Sequence, residues 1–559
     1  MKYLVRLLAL LFVFLISKSV GFAQLVKKWD NTFGTDKREF VIPLIETIDK
    51  GFLIGGSTMA GVNGDKTQPG WGWDDIWIVK TDSSGKKVWD KDFGGNQPED
   101  LHSILETSNQ DLLLIGSSKS GVSGNKSEPN WDTTTISYKI SYDFWIIKTN
   151  KYGNKIWDKR FGGTNSDGPN AGINLPGNTY LIGGWSASDI GGNKSESNRD
   201  SSHSYLTDDY WIVKIDDSGN KIWDRTYGGT KNDVLTTMLH SDDGGIILGG
   251  WSNSNIGAEK SEDSRGGYDY WIIKIDSIGN KIWDKTFGGG MDDILENITQ
   301  TLDGGFILTG YSFSGIGGEK SESNWDNTLI TSDYWIVKID GNGNKIWDKR
   351  YGGSSRDELF SFSPSTGTDD GNLLICGFSY SPSDGDKTQT NLPSGSRNFW
   401  IISINSLTHK KNWDQTIFVD PGYGHIRTTS DNNFIIWCAT TTGIFGDKTQ
   451  PGKGSEDYWM AKYKPITANI SENTSSIFFD IYPNPTRENF TISYNLPIEI
   501  YSAHLRIYNS LGIEKLQCIL YRNESQLTKD IKLVPGIYFF QIITEKGNSI
   551  VKKLIVAGE

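Results

Sequence analysis

Apolar and polar residues recur in one pattern along most of the chain, and its clearest copy spans residues 333–353. Residues 334–339 (YWIVKI) are almost all aromatic or β-branched, which is typical of a strand covered on both faces. Residues 345–351 (KIWDKRY) form a second, mixed run. The five residues between the two runs, DGNGN, accept positive φ at little cost. The pattern predicts an antiparallel hairpin closed by a tight turn.

This hairpin recurs along the chain. Its marker is a Trp-Asp pair that returns every 60 to 68 residues, with the tryptophan at Trp29, Trp89, Trp157, Trp223, Trp283, Trp347 and Trp413. In the fifth unit two more strands, 293–301 and 306–312, precede the hairpin, and a long loop, 313–332, separates the two pairs. Four short antiparallel strands in each of seven units predict an all-β chain folded as a seven-bladed β-propeller. The tryptophan of each pair is predicted to lie in the core between blades.

The two ends of the repeat region predict how the propeller closes. Residues 27–33 read as a fourth strand with no blade before it, and residues 458–462 read as a third strand with no fourth after it. The N-terminal strand is therefore expected to complete the seventh blade, so that no sheet edge stays open. The propeller is predicted to span residues 24–463.

Residues 1–23 are predicted to be a secretory signal peptide. Lys2 and Arg6 precede the apolar run 7–16, and the small residues Gly21 and Ala23 precede the expected cleavage site. That run is too short to span a bilayer, and no transmembrane segment is predicted elsewhere. Residues 464–476 are polar and are predicted to be a linker to a C-terminal domain, 477–559.

The net charge of the chain limits which partners are expected, and its cysteine content indicates whether disulfides stabilise the fold. The chain has 68 acidic and 56 basic residues and a formal net charge of −12, without a basic stripe. Nucleic acid is therefore excluded as an expected partner. Of the cysteines Cys376, Cys438 and Cys518, the first two lie in apolar runs. The odd number and these settings favour buried free thiols, although one disulfide is an open alternative.

The tail carries alternating runs at 490–494, 503–508, 536–543 and 550–556, which predict a small Ig-like β-sandwich. Four short motifs follow one another there. They consist of Tyr482, Pro483, Asn484 and Pro485, then a loop ending in Gly512, then Gly536 and Tyr538, and finally Lys552 and Lys553.

In these motifs the tail resembles the type A C-terminal sorting domain of the type IX secretion system (T9SS) of Bacteroidetes. The resemblance implies Sec export to the periplasm, then passage across the outer membrane with the T9SS machinery as partner. It implies a final location in the medium or on the outer cell surface. The repeats also resemble the Asp-Gly-Gly repeats often found ahead of such tails, and that resemblance implies no defined activity.

Aromatic residues on one face of the predicted propeller are the candidate ligand-binding residues. Four of them end the second strand in consecutive blades: Trp185, Trp251, Tyr311 and Phe378. Blades one, two and seven have Ser57, Ser117 and Ala439 there, and three further rings, Trp71, Trp131 and Trp325, lie in the long loops. Exposed flat rings suit stacking on sugars or apolar side chains. The alternative is that the rings pack the loops onto the blades.

Two other repeated features favour structural roles. A Gly-x-Lys-Ser/Thr motif in the long loops lacks the spacing of a phosphate loop, and we interpret it as a loop-shaping turn with the lysine against a local carboxylate. Acidic residues open the first strands, at Glu39, Asp100, Asp167, Asp233, Asp293 and Asp357. They are expected to accept backbone N–H bonds in a turn. The alternative, a carboxylate ring that binds Ca²⁺, has no matching loop motif, and neither a metal site nor a cofactor is predicted.

The sequence supports binding more than catalysis. The six histidines, His102, His203, His240, His409, His425 and His504, lie in no catalytic motif. His102 and His425 fall near the expected channel, where a lyase or hydrolase could use a base. The prediction is a secreted or surface-exposed, non-catalytic propeller that binds a glycan or another surface polymer. The alternative is an extracellular polysaccharide-active enzyme.

Overall fold

A computed structural model describes most of residues 25–556. It leaves out 132–140, 201–206, 302, 327, 365–372, 394, 406–407, 420, 442, 466–477, 483–485, 487–489, 497–501, 510–513, 523–525, 529–532 and 545–548. The chain divides after Pro465 into two compact units. Within the described ranges, no helix combines the length and the apolar character that crossing a membrane requires.

The first unit begins with β1 (Leu25–Phe33) and continues as four-stranded antiparallel sheets. Sheet 1 contains β2 (Glu39–Glu46), β3 (Phe52–Thr58), β4 (Asp75–Thr81) and β5 (Lys87–Phe93). Sheet 2 contains β6 (Glu99–Glu106), β7 (Leu112–Ser118), β8 (Asp143–Thr149) and β9 (Lys155–Phe161). Sheet 3 contains β10 (Asp167–Leu175), β11 (Thr179–Ser186), β12 (Asp209–Ile215) and β13 (Lys221–Tyr227). Sheet 4 contains β14 (Asp233–His240), β15 (Ile246–Ser252), β16 (Asp269–Ile275) and β17 (Lys281–Phe287).

The remaining sheets of this unit repeat the same order. Sheet 5 contains β18 (Asp293–Gln300), β19 (Phe306–Ser312), β20 (Asp333–Ile339) and β21 (Lys345–Tyr351). Sheet 6 contains β22 (Asp357–Pro364), β23 (Leu373–Ser379), β24 (Asn398–Ile404) and β25 (Lys411–Ile417). Sheet 7 contains β26 (Pro421–Thr428), β27 (Phe434–Thr440) and β28 (Asp457–Pro465), and β1 is its fourth strand.

The sheets follow one another around a closed ring, in a propeller-like arrangement. The first strand of each sheet contacts the first strand of the next, and β26 of sheet 7 contacts β2 of sheet 1. The hydrophobic core lies between neighbouring sheets rather than within one. Tyr270 of sheet 4, for example, packs its ring 4.8 Å from that of Trp335 in sheet 5. Cores on both sides explain why second and third strands are apolar on both faces.

The predicted closure by the N-terminal strand is confirmed. β1 pairs antiparallel with β28, and Trp29 lies opposite Lys462 while Phe33 lies opposite Tyr458. The seventh sheet therefore combines strands from opposite ends of the unit.

The hairpin turn also forms as its sequence predicts. In sheet 5 the carboxylate of Asp340 accepts hydrogen bonds from the amides of Asn342 and Asn344, both at 2.8 Å. Gly343 between them has a φ of +83°, which glycine adopts without a Cβ clash.

The aspartate of each Trp-Asp pair holds three parts of its sheet together. In sheet 4, Asp284 accepts hydrogen bonds from the indole of Trp271 at 3.1 Å and from the amide of Ser261 at 2.8 Å. Lys281 donates to the same carboxylate at 2.8 Å. Fourth strand, third strand and long loop therefore meet at one buried carboxylate. The fully buried tryptophans are those of the third strands: Trp77, Trp145, Trp211, Trp271, Trp335, Trp400 and Trp459.

The tryptophans of the Trp-Asp pairs, predicted to be core residues between blades, are only partly buried and pack against the inter-sheet clusters from outside the buried core. Several also lie against the hairpin turn of the next sheet. A Cβ on Gly343 would come within 3.2 Å of the Trp283 ring, and one on Gly153 within 3.0 Å of the Trp89 ring. Glycine in these turns therefore permits the close approach of the neighbouring ring.

The second unit contains two sheets around one core. The first sheet contains β29 (Phe478–Tyr482), β30 (Thr491–Asn495) and β33 (Gln526–Thr528). The second contains β31 (Ser502–Asn509), β32 (Glu514–Tyr521), β34 (Gly536–Thr544) and β35 (Ser549–Val556). Phe490 beside β30 meets Phe540 of β34 edge to face, with ring centroids 5.2 Å apart. None of the three cysteines, all of which are described, forms a disulfide. Cys376 and Cys438 are buried as expected, whereas Cys518 is only partly buried.

Candidate ligand-binding face

One end of the ring carries both the long loops and the connections between sheets, and we call it the upper face. The loops are tied to the connections by backbone hydrogen bonds, for example from the amide of Asn125 to the carbonyl of Gly94 at 2.8 Å. The upper ends of the first strands border the centre of this face.

The repeated loop lysine lies buried in its loop, and its partner differs between sheets. Lys66 forms a buried ion pair of 2.6 Å with Asp92. Lys320 instead donates to the side-chain oxygen of Asn324 at 2.8 Å and to the carbonyl of Glu322 at 3.0 Å. The seven lysines are all buried: Lys66, Lys126, Lys194, Lys260, Lys320, Lys387 and Lys448. None of them offers its amine to a ligand at the surface.

The three loop tryptophans each meet the loop of the next sheet. Trp131 donates its indole N–H to Asn193 at 2.8 Å, and the guanidinium of Arg160 lies 4.1 Å from its ring centroid. Trp325 makes the equivalent bond to Asp386 at 3.0 Å, with Arg350 over its ring at 4.9 Å. The ring of Trp71 lies 3.1 Å from the position of a Cβ on Gly124. These contacts favour a role in joining neighbouring loops, although the rings stay 44% to 48% exposed.

The four rings that end the second strands differ in access. Trp185, Trp251 and Tyr311 are half-buried. Phe378 is only 3% exposed, because the rings of Phe360 and Phe399 pack against it at 5.0 and 5.8 Å. Phe378 therefore presents no face for stacking, contrary to the expectation of an exposed ring.

Further aromatic residues extend the aromatic side of the rim. Tyr268 meets Trp251 edge to face at 4.6 Å, and Tyr311 lies 6.2 Å from Phe313 and 6.1 Å from Phe360. Sheets 3 to 6 thus each carry rings at the upper rim, and the rings of sheets 5 and 6 contact each other through Tyr311 and Phe360. The sequence pattern did not single out Tyr268 and Phe313, because each lies just outside a strand at a position where the residue type varies between the repeats.

The opposite side of the rim is polar. Ser57 donates to the carboxylate of Asp100 at 3.1 Å, and Nε2 of His102 lies 3.1 Å from the hydroxyl of Ser117. Burial and then the neighbouring charge of Asp100, which also accepts a hydrogen bond from its hydroxyl, raise the pKa of Tyr142. Burial and then Asp100 likewise raise the pKa of Asp74. Sheets 1 and 2 therefore place hydrogen-bonding groups where sheets 3 to 6 place rings.

The acidic residues that open the first strands serve their own turns. Asp233 accepts hydrogen bonds from the amide of Gly229 at 2.7 Å and from the hydroxyl of Ser254 at 2.9 Å. In sheet 2 this position belongs to Glu99, whose carboxylate bonds Gly95 and Ser118 at 2.7 Å. The prediction that Asp100 belongs to this set is wrong, because the register pairs Glu99, not Asp100, with the last residue of the second strand. No cluster of potential metal ligands occurs among the described residues.

The other histidines lie away from this rim or serve packing. His425 stacks on Trp437 at 5.1 Å, and burial lowers its pKa to about 4. His409 stacks on Trp347 at 4.1 Å. His504 is an exposed residue of β31, and His203 lies outside the described residues.

Two surface depressions lie elsewhere on the first unit. One, of about 340 Å³, is lined by Glu106, Ser108, Asn174 and Tyr180, away from the upper ends of the first strands. The other, of about 490 Å³, lies at the fourth strand of sheet 1 beside Trp89 and Tyr152. Neither includes an aromatic residue of the upper rim.

Part of the tail motifs can be placed in the second unit. Tyr538 is buried in the core and donates its hydroxyl to the carbonyl of Val534 at 2.9 Å. Gly536 begins β34, and Lys552 forms an ion pair of 3.0 Å with Asp480. Tyr482 and Lys553 lie in β29 and β35, whereas Pro483, Asn484, Pro485 and Gly512 lie outside the described residues.

Residues 480–557 match the family model described as the secretion system C-terminal sorting domain. This match supports secretion through the type IX system and indicates export to the cell surface or the medium. Over 118 residues the chain is 25% identical to the regulatory protein FlaEY of Caulobacter vibrioides, which is 20% of this chain and 12% of that protein. The chain thus spans about one eighth of the length of this relative.

Several solved structures share low similarity with the chain. A protein of unknown function from Dyadobacter fermentans is 7% identical with a TM-score of 0.39, over 79% of this chain and 99% of that one. A puromycin hydrolase is 9% identical with a TM-score of 0.41, over 83% and 60%. The intramolecular trans-sialidase from Ruminococcus gnavus is 10% identical with a TM-score of 0.36, over 80% and 97%. Similarity of this degree assigns no activity.

Proposed function

We propose that residues 24–463 form a seven-bladed β-propeller that binds a glycan or another surface polymer at the upper rim, without catalysis. A signal peptide, 1–23, would deliver the chain to the periplasm. An Ig-like sorting domain, 477–559, would then direct it through the T9SS of a Bacteroidetes cell.

The division of the rim into two unlike sides carries this proposal. Trp185, Trp251 and Tyr311 occupy positions that are Ser57 and Ser117 on the other side. A requirement of the fold would apply to every sheet, so the asymmetry favours a ligand. Saccharides have apolar C–H faces and hydroxyl edges, and the rim offers rings for the former and Asp100 and Tyr142 for the latter.

A glycan array probed with the full chain tests the proposal. Selective binding that is lost when Trp185 and Trp251 are both replaced by alanine is expected. The Ser117→Ala variant, on the polar side of the rim, is the matched control and should keep its array profile. No selective binding to any polymer would refute the proposed function.

One observation supports an enzymatic alternative. Nε2 of His102 lies within hydrogen-bond distance of the Ser117 hydroxyl, and Asp100 is two residues away on the same strand. A serine activated by histidine is a common nucleophile, yet Ser117 is only 4% exposed. If polysaccharide turnover occurs, His102→Ala and Ser117→Ala should both abolish it while binding persists. Absence of turnover in the wild-type chain would exclude this alternative.

A further inference from the structure

Five aspartates at the start of third strands share an unusual arrangement: Asp75, Asp143, Asp209, Asp269 and Asp333. In each, Oδ2 accepts the amide N–H of a loop residue, as Asp143 does from Trp131 and Asp333 from Trp325, both at 2.8 Å. In each, Oδ1 is buried and has no hydrogen-bond partner among the described residues. An ionised carboxylate oxygen left this way would be costly.

Sheet 6 shows which kind of group fits this position. Its residue there is Asn398, whose side-chain oxygen accepts the amide N–H of Leu392 at 2.8 Å. Its side-chain nitrogen donates to the carbonyl of Val419, also at 2.8 Å. The position thus requires one acceptor and one donor. A protonated carboxyl group supplies both, whereas an ionised one supplies only acceptors.

A second carboxylate stands beside each of these five aspartates across the interface. The amide of Asp233, for example, donates at 2.6 Å to the carbonyl of Asp208, the residue before Asp209. The same place is held at the other four interfaces by Glu99, Asp167, Asp293 and Asp357. At the interface between sheets 6 and 7, sheet 6 contributes Asn398 and the place of the second carboxylate is taken by Pro421. Where no second carboxylate stands, the chain has the permanently neutral amide.

Burial and the charge of the second carboxylate both raise the pKa of these aspartates. Burial, and then the charge of Asp167, raise the pKa of Asp143 to about 8. Burial raises the pKa of Asp269 to about 7, with Asp293 adding to the rise, and burial and Asp233 raise that of Asp209 well above its usual value. The cations that face these groups oppose the rise without cancelling it, namely Lys126 and Arg160, Lys194 and Arg199, and Lys260 and Arg265.

We infer that Asp143, Asp209 and Asp269 hold a proton on Oδ1 at mildly acidic to neutral pH and donate it across the sheet interfaces, as the amide of Asn398 does. These groups are ionised in the unfolded chain above about pH 4. The folded state therefore binds more protons than the unfolded state between about pH 4 and pH 8, and its stability falls as the pH rises through this window.

Tryptophan fluorescence isolates the relevant unit, because all 21 tryptophans precede residue 466. We would measure urea unfolding midpoints of the full chain between pH 5 and pH 9. The wild-type midpoint is expected to fall up to about pH 8 and then level off. The triple variant Asp143→Asn, Asp209→Asn and Asp269→Asn should lose a measurable part of this slope and be the more resistant protein at pH 8. The rest of the slope should remain, because burial also raises the pKa of Asp92, Glu296 and Asp357 to about 8. Each single variant should show about a third of that loss, so the inference can still be tested if the triple variant fails to fold.

Two further measurements make the inference refutable. Asp284→Asn removes an ionised acceptor instead and should lower the midpoint while leaving the slope between pH 5 and pH 8 unchanged. The infrared carbonyl band of a protonated carboxylic acid should be present in the wild-type chain at pH 6 and weaker in each Asp→Asn variant of the three sites. Wild-type slope retained in the triple variant, or absence of that infrared band, would overturn the inference.

Discussion

Trp459 and Asp30 lie 429 residues apart in the sequence, yet the indole N–H of Trp459 donates a hydrogen bond of 3.1 Å to the carboxylate of Asp30. In the other six sheets the equivalent hydrogen bond joins two residues only 13 or 14 positions apart in the sequence, such as Trp335 and Asp348. Asp30 also accepts the amide of Thr449 at 2.7 Å. The N-terminal strand thus gives sheet 7 the same contacts between third strand, fourth strand and long loop that the other sheets form.

Deleting residues 24–34 should destabilise the first unit and promote its aggregation. The deletion removes β1 and leaves β28 as an open edge, whose unpaired backbone groups can pair with another chain. Thermal unfolding followed by tryptophan fluorescence, together with light scattering, measures both effects. A truncated chain with unchanged melting behaviour and no aggregation would contradict the closure.

Replacing the aspartate of a Trp-Asp pair should cost about 2 kcal/mol or more, because bonds to a charged group are lost and their buried donors stay behind. Asp30→Asn and Asp284→Asn should have similar effects on the unfolding free energy, because both carboxylates accept the same set of bonds from an indole, a loop amide and a lysine. The Asp30 contact closes the ring, whereas the Asp284 contact lies within one sheet. If Asp284→Asn destabilised the unit and Asp30→Asn did not, the closing contact would be unimportant in solution.

These aspartates also predict the response to acid. Burial alone would raise the pKa of Asp284, but hydrogen bonds from Lys281, the Ser261 amide and Trp271 outweigh it and lower the pKa. The unfolded chain then binds more protons than the folded one, so this contribution is present above about pH 4 and is lost as the pH falls through the folded pKa. Acid unfolding curves of Asp284→Asn should be shallower below pH 4 than those of the wild-type chain. Parallel curves would show that this carboxylate is not perturbed.

The loop tryptophans should act on stability rather than on ligand affinity. Trp325→Ala removes the bond to Asp386 and the contact with Arg350, at a cost of about 1–2 kcal/mol. Trp325→Phe, which keeps a ring but loses the N–H, is the matched control and should cost less. Loss of polymer affinity in the Trp325→Ala variant with normal melting would instead place this ring in the binding site.

Removing residues after 476 should leave a folded first unit that stays in the periplasm. The expectation follows from the match of residues 480–557 to the sorting-domain model and from the separate core of the second unit. Fractionation of cells that express the truncated and full chains measures the distribution. Wild-type amounts of the truncated chain in the medium would show that the tail is not the export signal.

The strands and the closure could be predicted from the sequence because they depend on local patterns that the chain repeats. The second strand of sheet 5, 306–312, and its fourth strand, 345–351, have the predicted bounds. Turn residues mark where strands end. Continuous apolar runs indicate strands that are buried on both faces.

The accessibility of single side chains could not be predicted in this way. Phe378 is covered by Phe360 and Phe399, which come from different strands of the same sheet, and only the packed structure brings the three together. Glu99 and Asp100 are adjacent acids, and choosing between them requires the strand register, since neighbouring residues face opposite sides. The indole bond between Trp131 and Asn193 joins loops 62 residues apart.

The aromatic side of the upper rim is proposed to bind a polymer, and affinity and melting temperature measured on the same variants test this proposal most directly. Each stacking ring contributes on the order of 1 kcal/mol, so one lost ring should weaken binding several-fold. Trp185→Ala combined with Trp251→Ala should abolish binding of the polymer identified on the array while the melting temperature changes little. A lower melting temperature with unchanged affinity would show that these rings only anchor the rim, and would contradict the claim.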